Sequence, residues 1–312
     1  VTLNMLLNAL SQGLLWGVMA IGVFITFRIL NYADLTAEGS FTLGAGVAAR
    51  LIMAEGMDPL AGTLLAAAAG MGAGAVTGFL HTVLRIPPLL SGILAMTGLY
   101  SVNLRVMGLP NIPLLRGTET LITRTAGLPP VGRAIELLGV TERLGAAIVL
   151  GILVLAAVIF VLKLFFNTEL GYVVRATGDN EAMAKAQGVN TRRMKVLGLL
   201  VSNACIALSG ALVFQFQGFA DVGMGIGVIV VALASVIIGE VIFSNKNDYR
   251  VFMAVVLGSI LYRILIAVVL TLGVNPNDFR LFSALILATA LSVPLVREKL
   301  RLDLKKLLWG RR

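Results

Sequence analysis

Residues 144–166 read LGAAIVLGILVLAAVIFVLKLFF, a run in which Lys163 is the one charge. About 20 mostly apolar residues are enough for a helix to cross a bilayer. This run meets that length, so it reads as a membrane span. Working outward, eight more stretches read the same way: 5–27, 35–53, 60–84, 87–107, 196–217, 222–243, 251–272 and 279–296. Several are short or broken by glycine, which leaves room for one re-entrant segment. The fold expected is all-α: one polytopic transmembrane bundle of eight to nine spans over residues 1–312.

The composition agrees. Of 312 residues, 58% are hydrophobic and 13% charged, and the mean hydropathy is +0.95. Soluble domains carry about 25% charged residues, so this chain lacks the polar side chains to cover a water-facing surface. Its 34 glycines suit helices that approach closely in lipid. The net charge of +9 does not indicate nucleic acid, because the basic residues lie between and after apolar runs. That is where topology-setting loop charges lie. Cys205 is the single cysteine, so no intrachain disulfide forms, and a small buried hydrophobe is its plain reading. The run 5–27 has no basic leader or small-residue cleavage site, so it reads as a retained first helix.

Loop charges orient the set. Residues 163–195 hold Lys163, Arg175, Lys185, Arg192, Arg193 and Lys195, and the tail 297–312 is also basic. Both read as cytoplasmic, with four spans between them. The stretch 110–143 then falls outside the cell, although Arg50, Arg116, Arg124, Arg133 and Arg143 share that side. Pro110, Pro113, Pro129 and Pro130 stiffen this outer loop. It is either a docking place for a solute-delivering protein or a plain linker. Ala33-Asp34 and Ala220-Asp221 each precede a glycine-containing apolar run, and the two runs cross in opposite directions. An inverted repeat is one reading of that match.

The loop 167–195 holds the most legible signal. Gly178 reads as a break in the preceding segment. Asp179 reads as the N-cap of the next, with Asn180 behind it and Glu181 in the first turn, where a helix dipole favours an anion. Alanines follow, and Gly188 can end the helix in a left-handed conformation. Asn190 or Thr191 can cap the span after it. A two-turn helix held between two membrane exits is a lever. Met183 and Ala186 could seat in a partner's groove, while Arg175 and Lys185 could meet its acids. An amphipathic helix lying on the membrane fits the same spacing.

The run Gly171, Arg175-Ala176, Gly178-Asp179-Asn180, Ala184, Ala186, Gly188-Val189-Asn190, Arg193, Lys195 closely resembles the coupling loop of branched-chain-amino-acid-type permeases of ATP-binding-cassette importers. Asn31-Tyr32-Ala33-Asp34 through Gly39 resembles that family's second-helix motif. Ala207-Leu208-Ser209-Gly210-Ala211-Leu212 resembles its post-loop helix, and the likeness covers most of the chain. The runs 26–30 and 34–41 are similar to a subgroup of tryptophan/tyrosine transport permeases. One departure is Gly239-Glu240-Val241, where relatives often carry a Gly-Gly-x-Gly-Ser turn. The resemblance implies a pore-forming subunit for a small solute, an amino acid, and the subgroup likeness suggests an aromatic one. It also implies an ATPase subunit that binds ATP, an extracytoplasmic solute-binding protein, and a second permease copy or paralogue.

The residues leave other classes weaker. No glycine-rich loop ending in lysine and serine or threonine is present to cradle phosphates, so ATP, if used, is held elsewhere. Leu208-Ser209-Gly210 lies in an apolar run and is not an ATPase signature. His81 stands without a second metal ligand, and no serine, histidine and acid cluster suggests hydrolysis; the chain reads as no enzyme.

An ion-coupled transporter is the alternative, supported by Asp34, Glu38 and Arg263. Arg263 lies 13 residues past Arg250, about 20 Å into a span at 1.5 Å per residue. It reads either as a pore residue, with Tyr262 beside it, or as a tie to carbonyls or to Asp34, Glu38, Asp221 or Glu240. Asp34 and Glu38 are four apart and would share a helix face, as caps or as a gate at the cytoplasmic mouth. Asn203, Gln215 and Gln217 either line the pore or bond between helices.

Overall fold

The computed structural model describes residues 3–115, 117–128, 141–243 and 248–271, together with 281–285, 287–289 and 292. Half of the expected span 279–296 lies outside these residues. The tail 297–312 lies outside them entirely, as do Pro129, Pro130, Arg116 and Arg133 of the expected outer loop.

The order of elements follows the apolar runs. Helix α1 (Leu3–Phe24) ends in a π-helical turn, Ile25–Ile29. A non-helical segment, 30–35, leads to α2 (Thr36–Met53). Helix α3 (Pro59–Thr82) starts where proline suits a first turn, with the Asp58 carboxylate accepting from the Leu60 and Ala61 amides. Helix α4 (Pro88–Met107) starts on proline too, and it stops at Gly108 in the left-handed conformation. Strand β1 (Asn111–Pro113) and the short α5 (Leu121–Ala126) follow. Then come α6 (Glu142–Phe166), α7 (Glu169–Asp179), α8 (Glu181–Ala186), α9 (Thr191–Gln217), β2 (Phe219–Asp221), α10 (Val228–Phe243) and α11 (Asp248–Thr271).

Among the described residues, six helices are long and apolar enough to cross a membrane: Leu3–Ile29, Pro59–Thr82, Pro88–Met107, Glu142–Phe166, Thr191–Gln217 and Arg250–Thr271. Two expected spans are shorter. Helix α2 has 18 residues, most of them buried by protein. Helix α10 has 16 and begins at Val228, six residues later than its hydropathy suggests. Residues 222–227 turn instead, because Gly223, Gly225 and Gly227 weaken helix there and Gly227 sits at φ +86°.

The bundle is built around α1, α2, α3 and α9. Helices α2 and α9 run parallel and nearly touch: a Cβ on Gly44 would lie 1.9 Å from the Ala207 carbonyl oxygen. Side-chain bonds tie α9 to α1 as well, with Ser209 Oγ donating to Leu15 O at 2.8 Å and Ser202 Oγ to Gly22 O at 2.7 Å. Gln215 joins three elements, donating to Thr63 Oγ1 and accepting from the Leu121 amide, each at 2.8 Å. In lipid such bonds replace lost water.

The two ends of the bundle differ. At one end, β1 and β2 form an antiparallel ribbon, with Asn111 opposite Asp221 and Pro113 opposite Phe219. At the other lie α7 and α8. The two Ala-Asp pairs make the same local turn: Asp34 Oδ1 accepts from the Thr36 amide at 2.9 Å, and Asp221 Oδ1 from the Gly223 amide at 2.8 Å. Helix α2 then heads for the ribbon end and α10 away from it, as the opposed runs predict.

Candidate functional site

Helices α7 and α8 form a short L between α6 and α9. Asp179 is the last residue of α7, not a cap. Asn180 leaves the helix in an extended conformation, and its Oδ1 accepts from the Met183 amide at 2.9 Å. Either side chain could cap, and the residue that takes the extended backbone does so. Nor does Gly178 break the chain. It stays helical and lets α7 lie on the π-turn, where a Cβ would stand 1.8 Å from the Ile29 carbonyl oxygen. Gly188, at φ +82°, ends α8 as its sequence predicts, and Asn190 Oδ1 accepts from the Arg193 amide at 3.2 Å.

Helix α7 itself was not foreseen. Its signal is present: Thr168 caps it, Glu169 opens it, and Gly171, Val174 and Thr177 recur every third residue on its buried face.

Helix α8 has six residues, just under two turns at 3.6 residues each. Ala184 faces inward and is 2% exposed, while Met183 is 49% exposed, and Ala186 is exposed as well. Glu181 ties the helix down. Its Oε2 accepts from Lys195 Nζ of α9 at 2.8 Å, its Oε1 pairs with Lys185 at 2.9 Å, and Thr191 Oγ1 donates to it at 3.1 Å. Lys195 first, then Lys185, hold this carboxyl down at about 2 from its ordinary 4.5. Arg175 lies over the Phe166 ring, 4.9 Å from its centre. Of the four residues expected to meet a partner, Met183 and Ala186 thus present an open apolar surface, whereas Lys185 and Arg175 have contacts within the chain.

The tie continues inward. Lys195 Nζ lies 3.5 Å from His81 Nε2, and the His81 ring meets Tyr32 edge-on at 5.2 Å. Tyr32 shares a 2.5 Å hydrogen bond with Ser91 at the start of α4. The α8 end is therefore joined, contact by contact, to the segment 30–35.

That segment carries Asp34, which is fully buried. Asp34 and Glu38 do not share a helix face, because Asp34 precedes α2 and turns toward α9. Its Oδ2 accepts from Asn203 Nδ2 at 2.8 Å, and Asn203 Oδ1 accepts from Ser40 Oγ at 2.7 Å. Glu38 turns toward α10, its Oε1 accepting from the Gly227 amide at 2.9 Å. Glu240, in the departing Gly-Glu-Val stretch, pairs with Arg28 at the end of α1. Val228 lies 12 residues before Glu240, about 18 Å along the helix at 1.5 Å per residue. The start of α10 and the Glu38 that caps it are therefore deep in the bundle rather than at its mouth.

Arg263 pairs with none of the four acids named for it. Its Nη1 donates to Gln12 Oε1 at 2.9 Å, and its guanidinium carbon stands 3.9 Å from the Trp16 ring centre. Tyr262 points elsewhere; it is fully buried and donates to Ser283 Oγ at 2.7 Å. Sequence reasoning missed what Arg263 faces, a cavity of about 560 Å³ also lined by Asn4, Asn8 and Gln12. Those amides recur every fourth residue in an apolar helix, which places them on one face. The spacing was readable.

The model for the branched-chain amino acid transport system permease component matches residues 5–291. The chain belongs to that permease family. It is 39% identical over 268 residues to the tyrosine transport system permease protein of Clostridioides difficile strain R20291, covering 86% of this permease and 84% of that one. An inner membrane ABC transporter permease of Escherichia coli K12 is 30% identical over 240 residues, covering 76% and 68%. The ribose import permease of the same strain is 25% identical over 245 residues, covering 76% and 70%. No solved structure matches the permease. It is thus a multi-pass membrane protein, the permease component of an importer of the ATP-binding-cassette class, and its relatives are transport permeases rather than enzymes. Membership does not favour an ion-coupled carrier, and the buried Asp34 is accounted for by hydrogen bonds to Thr36 and Asn203.

Proposed function

We propose that this permease moves an amino acid with an aromatic side chain inward, driven by an ATPase that grips α8. The observation that carries this reading is the geometry of α8: a capped rod with Met183 and Ala186 outward and Glu181 clamped to Lys195 of α9. A partner's groove would close on the outward face. The clamp would pass the displacement to α9, and the contact of Gly178 with Ile29 would pass it to α1. In this reading the α8 end faces the cytoplasm, and residues 110–143 at the ribbon end receive solute from an extracytoplasmic binding protein. ATP stays on the ATPase, and a second permease copy or paralogue completes the pore. The chain's own share of the work is a coupling between two sites.

Asp34 with Asn203, and Glu38 with the start of α10, are the interior groups placed to register that motion. All lie where elements that would move against one another meet. The aromatic solute is suggested by the name of the Clostridioides difficile relative and by the likeness of residues 26–30 and 34–41 to the tryptophan/tyrosine subgroup. Reconstitution with the ATPase and the binding protein in proteoliposomes tests the reading. Labelled tyrosine should accumulate with ATP and not without it, and leucine and ribose should compete weakly. Accumulation of ribose in preference to tyrosine would overturn the solute class.

A further inference from the structure

Buried donors without acceptors gather at one place beneath the ribbon end. Arg263 is 9% exposed, and among the described residues its Nε and Nη2 have no hydrogen-bond partner. The Trp16 ring lies under the same guanidinium, and its Nε1 has no partner either. All three atoms are donors, so what is missing there is an acceptor. Among the described residues, no carboxylate lines the cavity that Arg263 borders. A charge buried without a counter-charge is costly, and at membrane depth it marks a functional site by default.

The neighbours are arranged to hold the guanidinium rather than to neutralise it. Gln12 Oε1 takes Nη1, and Gln12 Nε2 in turn donates to Asn8 Oδ1 at 3.0 Å. This fixes one edge of the fork. The opposite edge, Nε and Nη2, is packed shut in this conformation and carries two parallel N–H groups, the pattern that a carboxylate accepts with both oxygens once a side-chain shift opens that edge to the cavity. Asn4, Asn8 and Thr141 line the cavity with polar groups, and Leu144, Ile266 and Leu270 give it apolar walls. Its volume of about 560 Å³ lies in the ordinary range for small-molecule pockets.

We infer that this cavity is a binding site for the carboxylate of the transported amino acid, with the free edge of Arg263 on the carboxylate and the apolar wall against the side chain. The inference rests on the reading of the chain as an amino acid importer and adds to it a selection step inside the permease.

Trp16 supplies the readout. The chain has two tryptophans, and Trp309→Phe leaves Trp16 as the sole emitter. Permease in neutral-lipid nanodiscs would be titrated with phenylalanine, phenethylamine, acetate and inorganic phosphate. Phenylalanine should change Trp16 emission saturably, and phenethylamine, which lacks the carboxylate, should need at least about tenfold more, the worth of a charge-assisted pair. Arg263→Met should abolish the response, whereas Arg263→Lys, which keeps the charge, should weaken it and shows that the fold survives. The site is overturned if phenylalanine gives no response, if phenethylamine matches it, or if Arg263→Met titrates like the parent. It is also overturned if acetate or phosphate matches phenylalanine, which means a general anion site, or if anionic lipid alone saturates the change, which means a headgroup. Uptake by the complete importer separates the two readings. Working ATP-dependent uptake with a failed titration removes this site alone, while failed wild-type uptake removes the importer reading.

Discussion

Glu181 accepts from three side chains on two elements, and its acidity reports that clamp. Its carboxyl is held at about 2 against an ordinary 4.5. The depression is a stability term that is fully present above pH 4.5 and is lost as pH falls toward 2. Hydrogen exchange of the α8 amides should therefore be flat from pH 7 to about 5, after correction for intrinsic rates, and should accelerate below that range. Glu181→Gln should show the faster exchange already at pH 7. The cost should be on the order of 1 kcal/mol or less, since Glu181 is more than a third exposed. Close backbone contact sets a larger scale. Gly44→Leu must displace the Ala207 carbonyl, and overpacking of that kind costs about 3 kcal/mol. Gly72→Leu meets nothing within 4 Å and should leave the melting temperature unchanged. A melting series on the purified permease compares the two.

At the scale of elements, α10 supplies the next test. Its start lies deep in the bundle, where the Gly227 amide just before it donates to Glu38. Removing a capping acceptor costs about 1 kcal/mol, so Glu38→Ala should lower the melting temperature modestly. It should slow uptake more than that loss explains if the α2–α10 contact moves in transport. Melting and uptake measured on the same preparation separate the two effects. Element by element, legibility followed the kind of signal. Runs such as 144–166 declare themselves through hydropathy, which lipid enforces. Helix α7 does not, because its apolar face is short and its other face is polar. The late start of α10 hides inside a continuous apolar run, where only the glycines at 223, 225 and 227 hint at it. Asp179 and Asn180 both cap well, and the choice between them depends on backbone geometry that no side chain announces. The amide face of Asn4, Asn8 and Gln12 is readable in its four-residue spacing, but nothing in that spacing marks a site until Arg263 comes against it from α11.

At the scale of the whole molecule, the account joins an outward rod at one end to a cavity near the other through α9, α1 and the segment 30–35. That chain of contacts has meaning only if another protein moves α8. Uptake should therefore depend on ATP and persist when an uncoupler collapses the proton gradient with ATP held constant. The most direct test replaces Met183 by Glu. Met183 is exposed, and among the described residues its side chain makes no hydrogen bond, so the permease should fold and melt as before. Co-purification of the ATPase with the permease should fall at least about tenfold, as for loss of an apolar anchor at an interface, and solute uptake should fall with it. A variant that retains both its ATPase and full uptake would contradict the claim that α8 is the handle by which this permease is driven.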